Sequence, residues 1–344
     1  MKTPEKILII KPSSLGDIVH SLPFLDVIKK RFPASGIHWI VFEGFEGLLE
    51  GHPMIDKLWV INKDSWKEIG RAKDTLSEIS TFVRGLKKER FDLVIDLQGL
   101  LRSGLITAAT GSPVRIGFKE AREGSSLFYT KKVAGGRDIH AVDRYLKIAE
   151  FLGCDISKVA FPFPPFKKAS SFESIVSSFI LHPSSLVPNQ GYIVIVPGAR
   201  WKTKKWPPPK FGKLASLLPI KSVIVGGKSD VPVADEIVAL SDGKSYSLAG
   251  KTDLKELVAV IKGSEFLVTN DSGPMHIAAA LGIPVFAIFG PTDPARTGPY
   301  GKGHTVIKAD IACAPCFRKS CDDLKCMDSI SAEKVFETIK NSRR

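Results

Sequence analysis

Four short stretches of this chain carry residues whose types and spacing suit proton transfer and anion binding. In Lys11-Pro-Ser-Ser14-Leu-Gly16-Asp17-Ile-Val-His20-Ser-Leu-Pro23, an acid follows a tight turn that ends an apolar run. A carboxylate in the first turn of a helix either complements the helix dipole and caps the free N–H groups, or, kept ionised, takes a proton from a hydroxyl. His20 lies one turn further on, as a second base or a satisfied polar neighbour. The turn lacks G-x-G-x-x-G, so it is no ordinary dinucleotide site. In Pro197-Gly-Ala-Arg200-Trp-Lys202-Thr-Lys204-Lys-Trp206-Pro207, four cations precede a Trp-Pro stop. Lys as a point charge and Arg as a fork suit a diphosphate; the other reading is a basic surface loop anchored by two tryptophans. In Gly226-Gly-Lys-Ser-Asp230, the glycines allow close approach of a ligand, and Asp230 either binds ribose hydroxyls or caps a helix. Finally, Val268-Thr-Asn-Asp271-Ser272-Gly273-Pro-Met275-His276 leads from an apolar run into a short helix with Pro near its start, where a missing N–H does no harm. Free N–H groups at Gly273, Met275 and His276 would face an anion there. Asp271 and Ser272 are caps or ligands, and His276 is a ligand or a buried structural histidine.

The elements that must hold these residues alternate between strand and helix. Ile7–Ile10 is a continuous apolar run, as in a strand covered on both faces. Ile18, Leu22, Leu25 and Ile28 follow at helical spacing, and 37–42 and 58–61 read as strands. Helices are expected over 75–88, 100–110 and 139–152, with strands at 91–96 and 114–118. From 155 to 190 the composition changes through Phe161-Pro-Phe-Pro-Pro165 to a Ser- and Lys-containing stretch, the expected connection between domains. A second series begins at 192–197 and continues through a strand at 222–225, helices at 230–240 and 254–262, strands around 266–268 and 285–289, and a last amphipathic helix at 331–342. Repeated βα units imply parallel, doubly wound sheets. The expected division is 1–165, a linker at 166–190, 191–330 and a C-terminal helix at 331–344, with the two Rossmann-like domains facing a central cleft.

The chain has 344 residues, 44% of them hydrophobic and 25% charged, with mean hydropathy +0.05. No apolar stretch reaches the roughly 18–20 residues that span a bilayer, and the N-terminus shows no signal-peptide pattern; a cytoplasmic, monomeric protein is expected. Net charge is +13, from 49 Lys+Arg and 36 Asp+Glu. That excess favours phosphorylated ligands, anionic lipid surfaces or nucleic acid. The cations are dispersed and no nucleic-acid motif accompanies them, which weighs against a non-catalytic polyanion-binding protein. Cys313-x2-Cys316-x4-Cys321-x4-Cys326 opens with ligand spacing but lacks the second C-x2-C of common zinc sites; bound metal, disulfides and free thiols all stay open, and no catalytic metal is expected.

Together the motifs resemble family 9 glycosyltransferases, the ADP-heptose:lipopolysaccharide heptosyltransferases. The matching stretches are Lys11–Pro23, Arg200–Pro207 and Thr269–His276. Asp96-Leu-Gln98-Gly99, Arg115-Ile-Gly117-Phe, Ala121-Arg122-Glu123, Ser126-Leu-Phe128-Tyr129 and His140-Ala-Val look most like the type I enzymes. The resemblance implies a GT-B fold, an inverting reaction that needs no metal or other cofactor, and ADP-heptose as donor. It implies Asp17 as catalytic base, and Arg200, Lys202, Lys204, Asp230, Asp271, Ser272, Gly273, Met275 and His276 as donor ligands. Ser14, Gly16, His20, Arg115 and Arg122 would meet the acceptor, a Kdo-lipid A reached at the cytoplasmic face of an anionic inner membrane. A type II acceptor or another nucleotide sugar is the enzymatic alternative.

Overall fold

The computed structural model describes residues 3–62, 72–136, 138–166 and 191–343. The chain divides into two compact units, Met1–Pro165 and Phe166–Arg344. Apart from Phe166, the expected linker at 166–190 lies outside the described residues.

In the first unit, β1 (Lys6–Ile10) buries Ile7, Leu8, Ile9 and Ile10 completely. It lies at the centre of a sheet with β2 (Gly36–Phe42), β3 (Lys57–Ile61), β4 (Leu93–Asp96), β5 (Val114–Phe118) and β6 (Lys131–Val133). The order is β3-β2-β1-β4-β5-β6 and every pairing is parallel. Helices α1 (Leu15–His20), α2 (Leu22–Arg31), α3 (Ala72–Glu89), α4 (Leu101–Ala109) and α5 (Ala141–Phe151) make the crossovers and complete the unit.

The second unit repeats this plan. β7 (Tyr192–Val196), buried throughout, is central to β8 (Lys221–Ile224), β9 (Ser245–Ser247), β10 (Leu267–Asn270), β11 (Val285–Phe289) and β12 (Thr305–Lys308), in the order β12-β11-β10-β7-β8-β9. Its helices are α6 (Pro208–Leu217), α7 (Val231–Ala239), α8 (Leu254–Lys262), α9 (Gly273–Ala280), α10 (Pro294–Thr297), α11 (Lys325–Asp328) and α12 (Ala332–Ser342). Counted from its own first strand, each sheet runs 3-2-1-4-5-6. Each therefore reverses winding between its first and fourth strands, and ligands of such sheets bind outside the carboxyl ends of that pair.

Three details depart from the sequence reading. The single helix expected through Ile18–Ile28 is two, because Pro23 has no N–H and its ring would meet the carbonyl of Val19 in a continuous helix. Ser21 stands at the junction, its hydroxyl turned back to the carbonyls of Asp17 (2.8 Å) and Ile18 (2.9 Å). α7 begins at Val231 rather than Asp230, after a 3₁₀ turn over Lys228–Asp230. The strands β6, β9 and β12 carry too few apolar residues to stand out; each is three or four residues long and lies at a sheet edge.

Packing at one glycine fixes the loop geometry around β5. A Cβ on Gly117 would lie 2.3 Å from the ring of Tyr129, whose hydroxyl donates to the buried Asp96 carboxylate at 2.7 Å. Gly117→Ala should therefore lower stability by about 1–3 kcal/mol, as overpacking does in a filled core. A melting temperature equal to wild type would show that the ring has room to move.

Candidate active site

β1 ends at Ile10, so Lys11 and the α1 turn emerge at the winding reversal of the first sheet. Asp17 is the third residue of α1 and reaches back to its start: its Oδ2 accepts from the Ser14 N–H (3.0 Å) and the Ser14 hydroxyl (2.7 Å). Its Oδ1 accepts from the Tyr145 hydroxyl at 3.3 Å and lies 3.7 Å from Lys11 Nζ. The Lys11 side chain is 4% exposed and that of Asp17 39%, so the acid reaches solvent while its cation does not. Burial pushes the Asp17 carboxyl upward, but the charge of Lys11 and both Ser14 donors outweigh it and hold the group well below the usual carboxylate range. Burial likewise lowers Lys11 despite the opposing charges of Asp17 and Asp96. Capping and proton acceptance are therefore compatible roles: one oxygen is occupied by the helix start, the other faces a lysine and a phenol.

Beside it, the loop after β4 is fixed by Asp96. This fully buried carboxylate accepts from the N–H groups of Gln98 (2.8 Å) and Gly99 (3.0 Å) as well as from Tyr129. Burial raises its pKa against those hydrogen bonds. Gly99 adopts φ 64°, a left-handed conformation that suits glycine. His20 is buried, its ring edge-on to His140 with centroids 5.0 Å apart, and Gly16 is buried in the turn.

The corresponding place in the second sheet lies between β7 and β10. Lys204 Nζ is 2.5 Å from Asp271 Oδ2, and 4.5 Å from the ring centroid of Trp201. The same Asp271 oxygen accepts from the Thr292 hydroxyl at 2.7 Å. Asn270 ties the two loops together: its amide donates to the carbonyl of Pro197 (2.7 Å), and its carbonyl accepts the Trp206 N–H (3.1 Å). Trp206 is itself buried, with its indole N–H on the carbonyl of Ile330 at 2.9 Å. α9 starts with Ser272 as N-cap and no side-chain cap, leaving the N–H groups of Ser272, Gly273 and Met275 directed out of the helix. Asp230 Oδ2 accepts from the Gly227 N–H at 3.0 Å, and Lys205 Nζ stands 3.8 Å from its Oδ1.

Several expected ligands occupy other roles. The Met275 side chain is fully buried, so only its N–H faces outward, and His276, one position further, falls where an N–H is already used within the helix. The Arg115 guanidinium donates to the carbonyls of Phe128 (2.9 Å) and Ser112 (2.6 Å), which makes it a brace for the β5 loop rather than an exposed fork. Arg122, Arg200 and Lys202 are exposed. Lys11, Tyr145 and Thr292 were not singled out from the sequence. Lys11 directly follows the first strand inside the motif, but Tyr145 stands 128 residues from its partner and has no local signal. All five cysteines are free thiols, and no group of three or more His, Cys, Asp or Glu among the described residues is placed to hold a metal.

Two Rossmann-like units, each with polar loops at its winding reversal, define the GT-B class. Residues 79–327 match glycosyltransferase family 9 (heptosyltransferase), and the chain belongs to that family. It is 30% identical to lipopolysaccharide heptosyltransferase 1 of Pseudomonas aeruginosa, over 98% of this chain and 95% of that one. With the Escherichia coli K12 enzyme of the same name it shares 29%, over 88% and 93%. Among solved structures it resembles a family 9 glycosyl transferase from Veillonella parvula (TM-score 0.81, 26% identity, 99% and 98% coverage). It also resembles E. coli heptosyltransferase WaaC with ADP (TM-score 0.77, 25% identity, 98% and 99% coverage).

Proposed function

We propose that this heptosyltransferase moves L-glycero-D-manno-heptose from ADP-heptose to a hydroxyl of Kdo in Kdo-lipid A, with inversion at the anomeric carbon and without a metal ion. The observation that carries the reading is the placement of Asp17 at one winding reversal and of Lys204 with the α9 amides at the other, in a chain similar to type 1 enzymes over nearly its full length. The acceptor oxygen forms a bond to C1 of the heptose as the bond from C1 to the phosphate oxygen breaks. Asp17 takes the hydroxyl proton, and ADP departs with the electron pair. Lys204 and the outward N–H groups of Ser272, Gly273 and Met275 stabilise the diphosphate, in the manner of donors fixed before charge develops. Arg200 and Lys202 add exposed positive charge, and Asp230 receives the ribose hydroxyls. Ser14 and Gly16 shape the turn on which the acceptor rests, His20 supports it, and Arg122 meets acidic groups of the lipid.

No helix among the described residues is long and apolar enough to cross a membrane. The net charge of +13 suits a monomer working at the cytoplasmic face of an anionic membrane. A mass-resolved transfer assay decides the reading, with ADP-heptose and other nucleotide sugars offered against Kdo-lipid acceptors with and without a first heptose. Transfer only to the heptose-bearing acceptor would assign the type 2 reaction instead.

The setting of Asp17 makes its own prediction. Lys11→Met removes the cation that lowers the carboxyl and leaves burial, which raises it. The proton-accepting form is then lost at a higher pH, so the acid limb of kcat/KM should move upward from its wild-type position. An acid limb that stays in place would show that Lys11 does not tune the base.

A further inference from the structure

α4 turns large apolar side chains to solvent where the interior has no use for them. Leu101 is 42% exposed and Leu105, one turn on, 50%. The 3₁₀ turn Ser125–Phe128 packs on the same helix and carries Leu127, 80% exposed. The packing is close: a Cβ on Gly104, which lies between the two leucines, would come within 2.7 Å of the Phe128 ring and 3.0 Å of Ser125 Cβ. The loop before the turn crosses the start of α4, with the Arg122 N–H on the carbonyl of Gly99 (2.9 Å) and the Leu101 N–H on Glu123 Oε2 (3.1 Å). Exposed cations stand on the elements of this corner: Arg102 on α4, Lys119 and Arg122 in the loop, and Lys132 on β6, which pairs with Gly117 and so shares the face that carries Tyr129. The two acids in the loop are occupied, Glu123 by the Leu101 N–H and Glu120 by the Gly135 N–H at 3.0 Å.

We infer that this corner, Leu101, Leu105 and Leu127 within a ring of arginine and lysine, is the surface that docks on a bilayer containing anionic lipid. The inference deepens the membrane-associated reading above and rests on it. Exposed apolar patches rimmed by polar groups mark interaction surfaces, and reversible membrane attachment combines apolar insertion with basic charge because neither suffices alone. The cations select the occupant. A second copy of a chain with net charge +13 would bring like charge to the ring, whereas phosphate headgroups bring the opposite charge. The location also suits the reaction. α4 and the Lys119–Phe128 loop follow the carboxyl ends of β4 and β5, the edge from which Asp17 projects, so a lipid-borne acceptor would enter beside the acid.

The test is co-sedimentation of the full chain with vesicles of phosphatidylcholine alone and of phosphatidylcholine and phosphatidylglycerol in equal parts. Wild type should bind the anionic vesicles, with affinity falling as salt rises. Leu127→Glu should weaken binding about tenfold or more, and Arg102→Gln and Lys132→Gln about fivefold each, all with unchanged melting temperatures because the side chains are exposed. Absence of wild-type binding would overturn the membrane reading itself. Wild-type binding that the three variants share would leave that reading standing and place docking elsewhere. A wild-type dimer in sedimentation velocity that Leu127→Glu converts to monomer, with vesicle binding intact, would assign the patch to self-association and overturn the inference.

Discussion

Asp17→Ala should lower the transfer rate by about 10²–10⁴, the range that positioned general bases contribute, while ADP binding measured by calorimetry stays at its wild-type value. The two readouts separate because Asp17 belongs to the first unit, whereas the proposed ADP ligands all belong to the second. The substitution also removes the acceptor of the Ser14 and Tyr145 hydrogen bonds and leaves Lys11 without its nearest carboxylate. Some loss of stability is therefore expected, and Asp17→Asn serves as the companion variant. It keeps the shape and part of the hydrogen bonding but cannot take the proton. If the Asn variant turns over at the wild-type rate, Asp17 is only a cap and the base lies elsewhere.

Lys204→Ala should weaken ADP binding by about 10- to 100-fold, the equivalent of one hydrogen bond to a charged group, and should lower kcat as well, because the lysine meets the charge that grows on the leaving diphosphate. A second effect follows from Asp271. That carboxylate is 6% exposed, and without Lys204 it keeps only the Thr292 hydroxyl among its side-chain partners described above. A buried charge that loses its partner destabilises strongly, so the melting temperature should fall. Adding Asp271→Asn to Lys204→Ala should recover the melting temperature without restoring the cation. Unchanged ADP affinity in the single variant would remove Lys204 from the diphosphate site.

Much of this is legible in the sequence itself. β1, β7 and β11 are continuous apolar runs, and such runs are what a parallel sheet covered on both faces demands. The helices α8 and α12 carry amphipathic spacing and stand within a residue of where that spacing puts them. The polar turns after β1, β7 and β10 were legible because Gly, Pro and charge interrupt the apolar pattern there. The strands β6, β9 and β12 were not, since an edge strand of three or four residues needs little apolar sequence and takes its form from the neighbour it pairs with. The surroundings of Asp17 were half legible. Ser14 lies three residues away and shares the motif, while Tyr145 reaches the acid only through the packing of α5, which no local pattern records. Arg115 shows another limit of local sequence: a basic residue in a recognisable motif reads as a ligand, and nothing in the motif tells that its Nε and Nη1 also brace the carbonyls of Phe128 and Ser112.

The repeated 3-2-1-4-5-6 strand order has a consequence for how such chains diversify. Each half carries its polar loops on a sheet with its own buried strands, so substitutions in the loops of one half leave the buried strands of the other untouched. New loop chemistry in one half is then free to arise without rebuilding the other, as modular inheritance rather than wholesale redesign.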